Sequence, residues 1–169
     1  AAMLLQESIG DLMVLDVGGA TTDVHSVTEG SPEINDILLA PEPFAKRTVE
    51  GDLGVFVNAE NVIQSIGEEE LTRRLGFPLA DLRPSPIPRS AREEALLNIL
   101  TDYVARKAVE RHVGRIREIY GPTGSISMAQ GKDLTRVRYI IGTGGPLTRL
   151  DEGRKILAGL RSKKGKVLL

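Results

Sequence analysis

Two short apolar runs in this chain each end in a glycine corner, and most of the sequence lies between them. Leu12-Met13-Val14-Leu15-Asp16 leads into Val17-Gly18-Gly19-Ala20, and Val137 to Ile141 leads into Gly142-Thr143-Gly144-Gly145-Pro146. Runs of this length, rich in Val, Ile and Leu and stopped by glycine, read as buried strands entering tight turns. Corners so far apart in sequence meet only through tertiary structure, which makes their pairing informative about the fold.

Between them the pattern alternates strand and helix. Thr21 to Thr28 alternates polar and apolar residues of high β-propensity. Ile34 to Leu39, after the Glu29-Gly30-Ser31-Pro32 turn, reads as a third strand, so the beginning of the chain is expected to be an antiparallel meander. Pro41 to Glu50 reads as a loop. Gly51-Asp52-Leu53-Gly54 opens a segment whose apolar positions Val55, Val57, Ala59, Val62, Ile63 and Ile66 suit a helix, and Glu68 to Leu75 suits another, stopped by Gly76 and Pro78. Pro78 to Pro88 carries four prolines and reads as an irregular connector. Ser90 then precedes an apolar stripe, Ala95, Leu96, Ile99, Leu100, Tyr103, Val104 and Ala108, with Glu93 placed for a capping box and Arg106, Lys107, Glu110 and Arg111 on the solvated face. Arg115 to Tyr120 and Ser125 to Ala129 flank Pro122-Thr123-Gly124 as a hairpin. Val137 to Ile141 is expected to be a short buried strand, followed by a helix after Pro146, a helix over Asp151 to Leu160 and a solvated basic tail from Arg161 to Lys166.

Composition narrows the chemistry. With 41% hydrophobic residues, 18 glycines and 27% charged residues of both signs in 169, the chain is a folded one. Zero cysteine excludes disulfides, thiolate nucleophiles and iron–sulfur clusters, and two histidines leave little for a His-rich metal cage. The chemistry falls to carboxylates, hydroxyls and backbone amides. A net charge of −1, no Trp and only three Phe and three Tyr give no footprint for nucleic acid, and no apolar run approaches the roughly 18 residues of a membrane span. Neither partner is expected. The start, Ala-Ala-Met-Leu-Leu-Gln-Glu, lacks a secretory pattern, so a cytoplasmic protein is expected. A first residue other than Met, so close to a core strand, suggests that the chain begins inside a longer protein.

The octet Asp16-Val17-Gly18-Gly19-Ala20-Thr21-Thr22-Asp23 holds the densest chemistry. Gly18 and Gly19 let a phosphate approach the backbone, successive N–H groups can form an anion nest, and Thr21 and Thr22 add hydroxyl donors. Asp16 and Asp23 suffice for a hydrated Mg²⁺, which keeps several waters and needs only one or two carboxylates. The alternative is a hairpin that uses Gly-Gly and Asp for purely structural reasons.

This octet resembles the second phosphate motif of the actin, Hsp70 and sugar-kinase ATPase superfamily, and Ile140-Ile141-Gly142-Thr143-Gly144-Gly145 resembles its adenosine motif, in the same order. Gly51-Asp52-Leu53-Gly54 looks like the Gly-Asp and Gly elements that follow the phosphate motif in Hsp70-like members. A closer resemblance, carried by residues 16–26, 42–54 and 141–149, is to the glutamate mutase accessory proteins of the MutL (GlmL) type, unrelated to the mismatch-repair protein of that name. It implies the second lobe of an actin-like ATPase over residues 1–169. Such a lobe is ribonuclease-H-like, a mixed sheet with an antiparallel meander flanked by helices, here with a helical insertion around 61–113. It also implies an ATP-dependent reactivating chaperone for an adenosylcobalamin-dependent mutase, with ATP or ADP and Mg²⁺ as ligands.

Carried over by resemblance, Asp16 orients Mg²⁺ or the attacking water, and Asp23 supports metal hydration. Gly18, Gly19, Thr21 and Thr22 face the phosphates, Gly51 belongs to the same site, and Gly142, Gly144 and Gly145 flank the adenosine. His25 is expected to be a packed or half-exposed strand residue, His112 a favourable residue at a helix C-terminus, and Lys46 and Arg47 surface or phosphate-reaching cations. Two departures stand out: Ala20 occupies the place of a third glycine, and the superfamily's first phosphate motif, an Asp-Gly-Ser/Thr hairpin of the other lobe, is not in these residues. The chain alone is therefore expected to bind nucleotide weakly and hydrolyse it negligibly, its own first lobe being a required partner. The competing readings are a lobe of a hydantoinase- or oxoprolinase-like ATP-using enzyme, a small-metabolite kinase of the superfamily, and a non-catalytic lobe that recruits a partner.

Overall fold

The structure, a computed structural model, describes residues 1–79, 82–122, 124–161 and 167–169. Along the chain lie α1 (Ala2–Ile9), β1 (Leu12–Val17), β2 (Thr22–Val27), α2 (Pro32–Asn35), β3 (Ala45–Glu50), α3 (Ala59–Ile66), α4 (Glu68–Leu75) and α5 (Ala91–His112). Then follow β4 (Arg115–Gly121), β5 (Gly124–Gln130), β6 (Tyr139–Thr143), α6 (Gly145–Arg149) and α7 (Gly153–Ala158). Four strands form one sheet in the order β3-β2-β1-β6, while β4 and β5 form a separate ribbon. β1 pairs antiparallel with β2 and β2 with β3, but β6 runs parallel to β1. Parallel neighbours need a long crossover, and α3, α4 and α5 lie in the stretch that provides it. The result is α/β: a mixed sheet with flanking helices.

Side chains alternate between the two faces of a strand. Met13, Leu15 and Val17 of β1 and Val24 of β2 share one face and are buried in a cluster with Leu96, Leu100, Val104 and Ala108 of α5. Those α5 positions, four apart, make a single stripe along the helix. Fully burying a Leu or Met side chain is worth roughly 1.5–3 kcal/mol, so this stripe fixes α5 on the sheet. The helix starts where expected: Ser90 Oγ accepts from the Glu93 N–H at 3.2 Å. The Glu93 carboxylate reaches back to the Arg89 N–H at 2.9 Å, one residue before the cap itself. No helix among the described residues is long and apolar enough to cross a membrane.

Several expected elements differ. Ile34 to Leu39 is not a strand: Pro32 at the first helical position starts the short α2, and only an isolated bridge, Leu38 to Ala129, follows. Ile34, Ile37 and Leu38 pack on the core at helical spacing, a pattern that a short apolar run does not separate from a strand. The third strand is instead β3, in the stretch read as a loop, where Ala-Lys-Arg-Thr-Val-Glu has little apolar signal because it forms the sheet edge. The helix after Gly54 begins only at Ala59. β6 starts two residues later than expected and is half-buried, with Tyr139 46% exposed, because it forms the other edge. The last helix is shorter, Gly153–Ala158. Thr123 and residues 162–166 of the basic tail lie outside the described residues.

His112 is the largest departure at a single residue. Its side chain is 1% exposed and bridges two strands, Nε2 to Ser26 Oγ at 2.8 Å and Nδ1 to Thr48 Oγ1 at 2.9 Å. Burial, reinforced by the Lys46 and Lys132 cations, pushes its pKa down to about 4. The ring is neutral at pH 7, one nitrogen donating and the other accepting. It ties the end of α5 to β2 and β3 and does much more than face a helix dipole.

Candidate functional site

Asp16 of β1 stands opposite Thr143 of β6, so the two parallel strands end side by side and both glycine corners leave from one edge of the sheet. In open α/β sheets that edge, beyond the carboxyl ends of the strands, is where ligands sit. Gly144 has φ 85°, and a β-carbon there would overlap the Val17 carbonyl oxygen and lie 2.8 Å from Asp16 Oδ1. Only glycine permits that approach. Gly18, Gly19, Gly144 and Gly145 line a single crevice of about 500 Å³.

The first corner is a tight turn closed by the Gly18 N–H, which donates to the Thr21 carbonyl at 2.9 Å. The Gly19 and Ala20 N–H groups donate to no acceptor among the described residues. Consecutive free N–H groups of this kind attract an anion. The Asp16 carboxylate is exposed and makes no ion pair or hydrogen bond among the described residues. Asp23, its cross-strand partner, is differently placed: Arg47 Nη2 and Nε donate to its Oδ1 at 2.6 and 3.0 Å, and Thr21 Oγ1 donates to Oδ2 at 3.3 Å. No group of three or more His, Asp or Glu side chains among the described residues could cage a metal. A hydrated Mg²⁺ held largely through phosphate needs no such cage, and Asp16 fits it, whereas Asp23 is already neutralised by Arg47.

Other expected site residues lie elsewhere. Thr22 is fully buried and donates its hydroxyl to the Leu53 carbonyl at 2.5 Å. Gly51 does not line the crevice, and its carbonyl accepts from Asn58 Nδ2 at 2.7 Å. At Gly142 a β-carbon would meet Leu157 Cδ1 at 2.7 Å, which makes it a packing position between β6 and α7. His25 sits on β2 opposite Arg47, and Lys46 pairs with Glu42 at 3.0 Å; neither lines the crevice.

The Gly51-Asp52-Leu53-Gly54 turn is the platform under the first corner. A β-carbon at Gly54 would overlap the Ala20 carbonyl, so the two turns touch backbone to backbone. Arg111, at the end of α5, holds the platform through Glu50 at 2.5 Å and Asp52 at 2.7 and 2.8 Å. The Arg111 guanidinium keeps the Asp52 carboxyl below the usual carboxylate range.

The sequence reading missed the far wall of the crevice. Phe56, the Pro86-Ile87-Pro88 stretch, Glu94 and Arg149 all line it. Ile87, a large apolar residue between two prolines and 75% exposed, was the available signal. Glu94 and Arg149, both lining the crevice, form no ion pair among the described residues.

Comparison with known proteins then decides the family, because the MutL protein family matches this chain over residues 1–169. The chain belongs to the MutL family. It is 40% identical over 167 residues to Protein MutL of Clostridium tetanomorphum, a match that covers 90% of this chain. The same match covers 35% of that relative, so this MutL-family chain spans about a third of its length. The family expected from residues 16–26, 42–54 and 141–149 is the family found.

Proposed function

We propose that this chain is a nucleotide-binding lobe of an ATP-dependent reactivating chaperone that serves an adenosylcobalamin-dependent mutase of the glutamate mutase or aminomutase type. Membership of the MutL family supports the mutase association. The sheet order, three antiparallel strands and a fourth parallel to the first, agrees with a ribonuclease-H-like lobe of the actin type. The observation that carries the nucleotide reading is the contact between the corners: Gly144 against Val17 and Asp16, with Gly18, Gly19 and Gly145 on the same crevice.

In this reading the N–H groups of Gly19 and Ala20 receive the phosphates, Asp16 holds the hydration shell of Mg²⁺ or the attacking water, and the Gly144-Gly145 corner lies against the nucleoside. Bound ATP supplies an anhydride whose cleavage changes the number of charges in the crevice. The chain's contribution is to bind the two states differently, and only that difference can drive release of a partner. This lobe supplies one side of the phosphate site, so turnover requires groups from the first lobe.

Titration of the full-length protein with ADP and Mg²⁺, with and without the mutase, tests the proposal. It expects magnesium-dependent ADP binding and an ADP affinity that changes when the mutase is present. A full-length protein with no nucleotide affinity contradicts it.

A further inference from the structure

All three carbonyls of the first glycine corner are occupied by one segment. Val55 N–H donates to Gly18 O at 3.2 Å, Phe56 and Val57 N–H donate to Gly19 O at 2.9 and 2.7 Å, and Asn58 Nδ2 donates to Ala20 O at 2.7 Å. In a trans peptide unit the carbonyl of one residue and the N–H of the next point in opposite directions. Holding those three carbonyls therefore turns the N–H groups of Gly19, Ala20 and Thr21 the other way. None of the three has an acceptor among the described residues, and Gly18 and Gly19 line the crevice. The first two restraints come from the backbone, whereas the third comes from a side chain. Asn58 Nδ2 also donates to Gly51 O at 2.7 Å, so one amide spans the corner and the platform turn. Both acceptors are carbonyl oxygens, so only the –NH₂ edge of the amide can face them.

We infer that Asn58 is a positioning residue for phosphate: it does not touch the ligand, but it aims the Thr21 N–H and holds the Gly19–Thr21 amides as a preformed anion nest. The inference rests on the nucleotide reading above and deepens it by naming the side chain that holds the phosphate-facing turn in shape. A side chain that merely stabilised the fold would affect every ligand alike. One that aims N–H groups affects the phosphate end alone.

The test uses the full-length protein and two substitutions. Asn58→Ala removes both donors, and Asn58→Asp keeps the size while setting a carboxylate against two carbonyls. Affinities for pyrophosphate, ADP and adenosine are measured, each with Mg²⁺, alongside a thermal melt. The expected result is a loss of about tenfold in pyrophosphate and ADP affinity, larger in the Asp variant, with adenosine affinity unchanged. If the Ala variant does not fold, the Asp variant decides. Pyrophosphate and adenosine affinities that fall together, or variants that bind pyrophosphate as the parent does, overturn the inference and leave the nucleotide reading standing. A parent protein that binds none of the three ligands overturns both.

Discussion

Gly144 lies so close to Val17 that any side chain at 144 would collide with the Val17 carbonyl, and this contact brings the two glycine corners to one crevice. Gly144→Ala faces both that overlap and an unfavourable φ of 85°. It should cost more than about 2 kcal/mol and weaken nucleotide binding. Gly145→Ala is the control, since a β-carbon there meets nothing within 4 Å. Its stability should stay within about 0.5 kcal/mol of the parent. Urea unfolding of both variants measures the difference.

His112 makes stability depend on pH in a defined window. Its folded pKa of about 4 lies below the ordinary 6.5, so the folded state holds the ring neutral while the unfolded chain takes up a proton more readily. The contribution is fully present above about pH 6.5 and is lost as pH falls through the folded value, on the order of 3 kcal/mol from this residue. His112→Gln should be less stable than the parent at pH 7.5 and should show a shallower loss between pH 6.5 and 4.5. Denaturant midpoints at several pH values give the slope.

Asp16 and Asp23 face each other across β1 and β2, yet only Asp23 has a cationic partner. Asp16→Asn should therefore lower Mg²⁺-dependent ADP affinity by tenfold or more, while Asp23→Asn should change it by less than about threefold. Titrations with and without Mg²⁺ separate the metal contribution from the rest. Equal losses in the two variants contradict this division of roles.

The far wall supplies a fourth expectation. Arg149 lines the crevice with no ion pair among the described residues, so its guanidinium is available to a ligand's aromatic or anionic group. Arg149→Ala should weaken ADP binding about three- to tenfold without lowering the melting temperature, because no described residue pairs with its charge. A lower melting temperature with unchanged ADP affinity points instead to a packing role.

What could be read beforehand follows the strength of local pattern. The stripe of α5, its Ser90 cap, β1, β2 and the β4–β5 hairpin carry enough periodicity and turn chemistry to be legible. The 34–39 stretch failed because a short apolar run suits either period until Pro32 and Ser31 are weighed. β3 failed because an edge strand needs no apolar alternation. At the site, the octet marked out the glycine turn but could not say which groups the fold consumes. Thr22 is spent on Leu53 and Asp23 on Arg47, and both partners come from distant sequence. The bridging role of His112 likewise exists only once Ser26 and Thr48 are brought to it.

Hydrogen exchange on the full-length protein, with and without ADP and Mg²⁺, tests the shared crevice most directly. The account predicts that ADP slows exchange at residues 18–21 and 143–147 together, because one ligand touches both corners. Slowing at only one corner, or at neither while ADP is demonstrably bound, contradicts it.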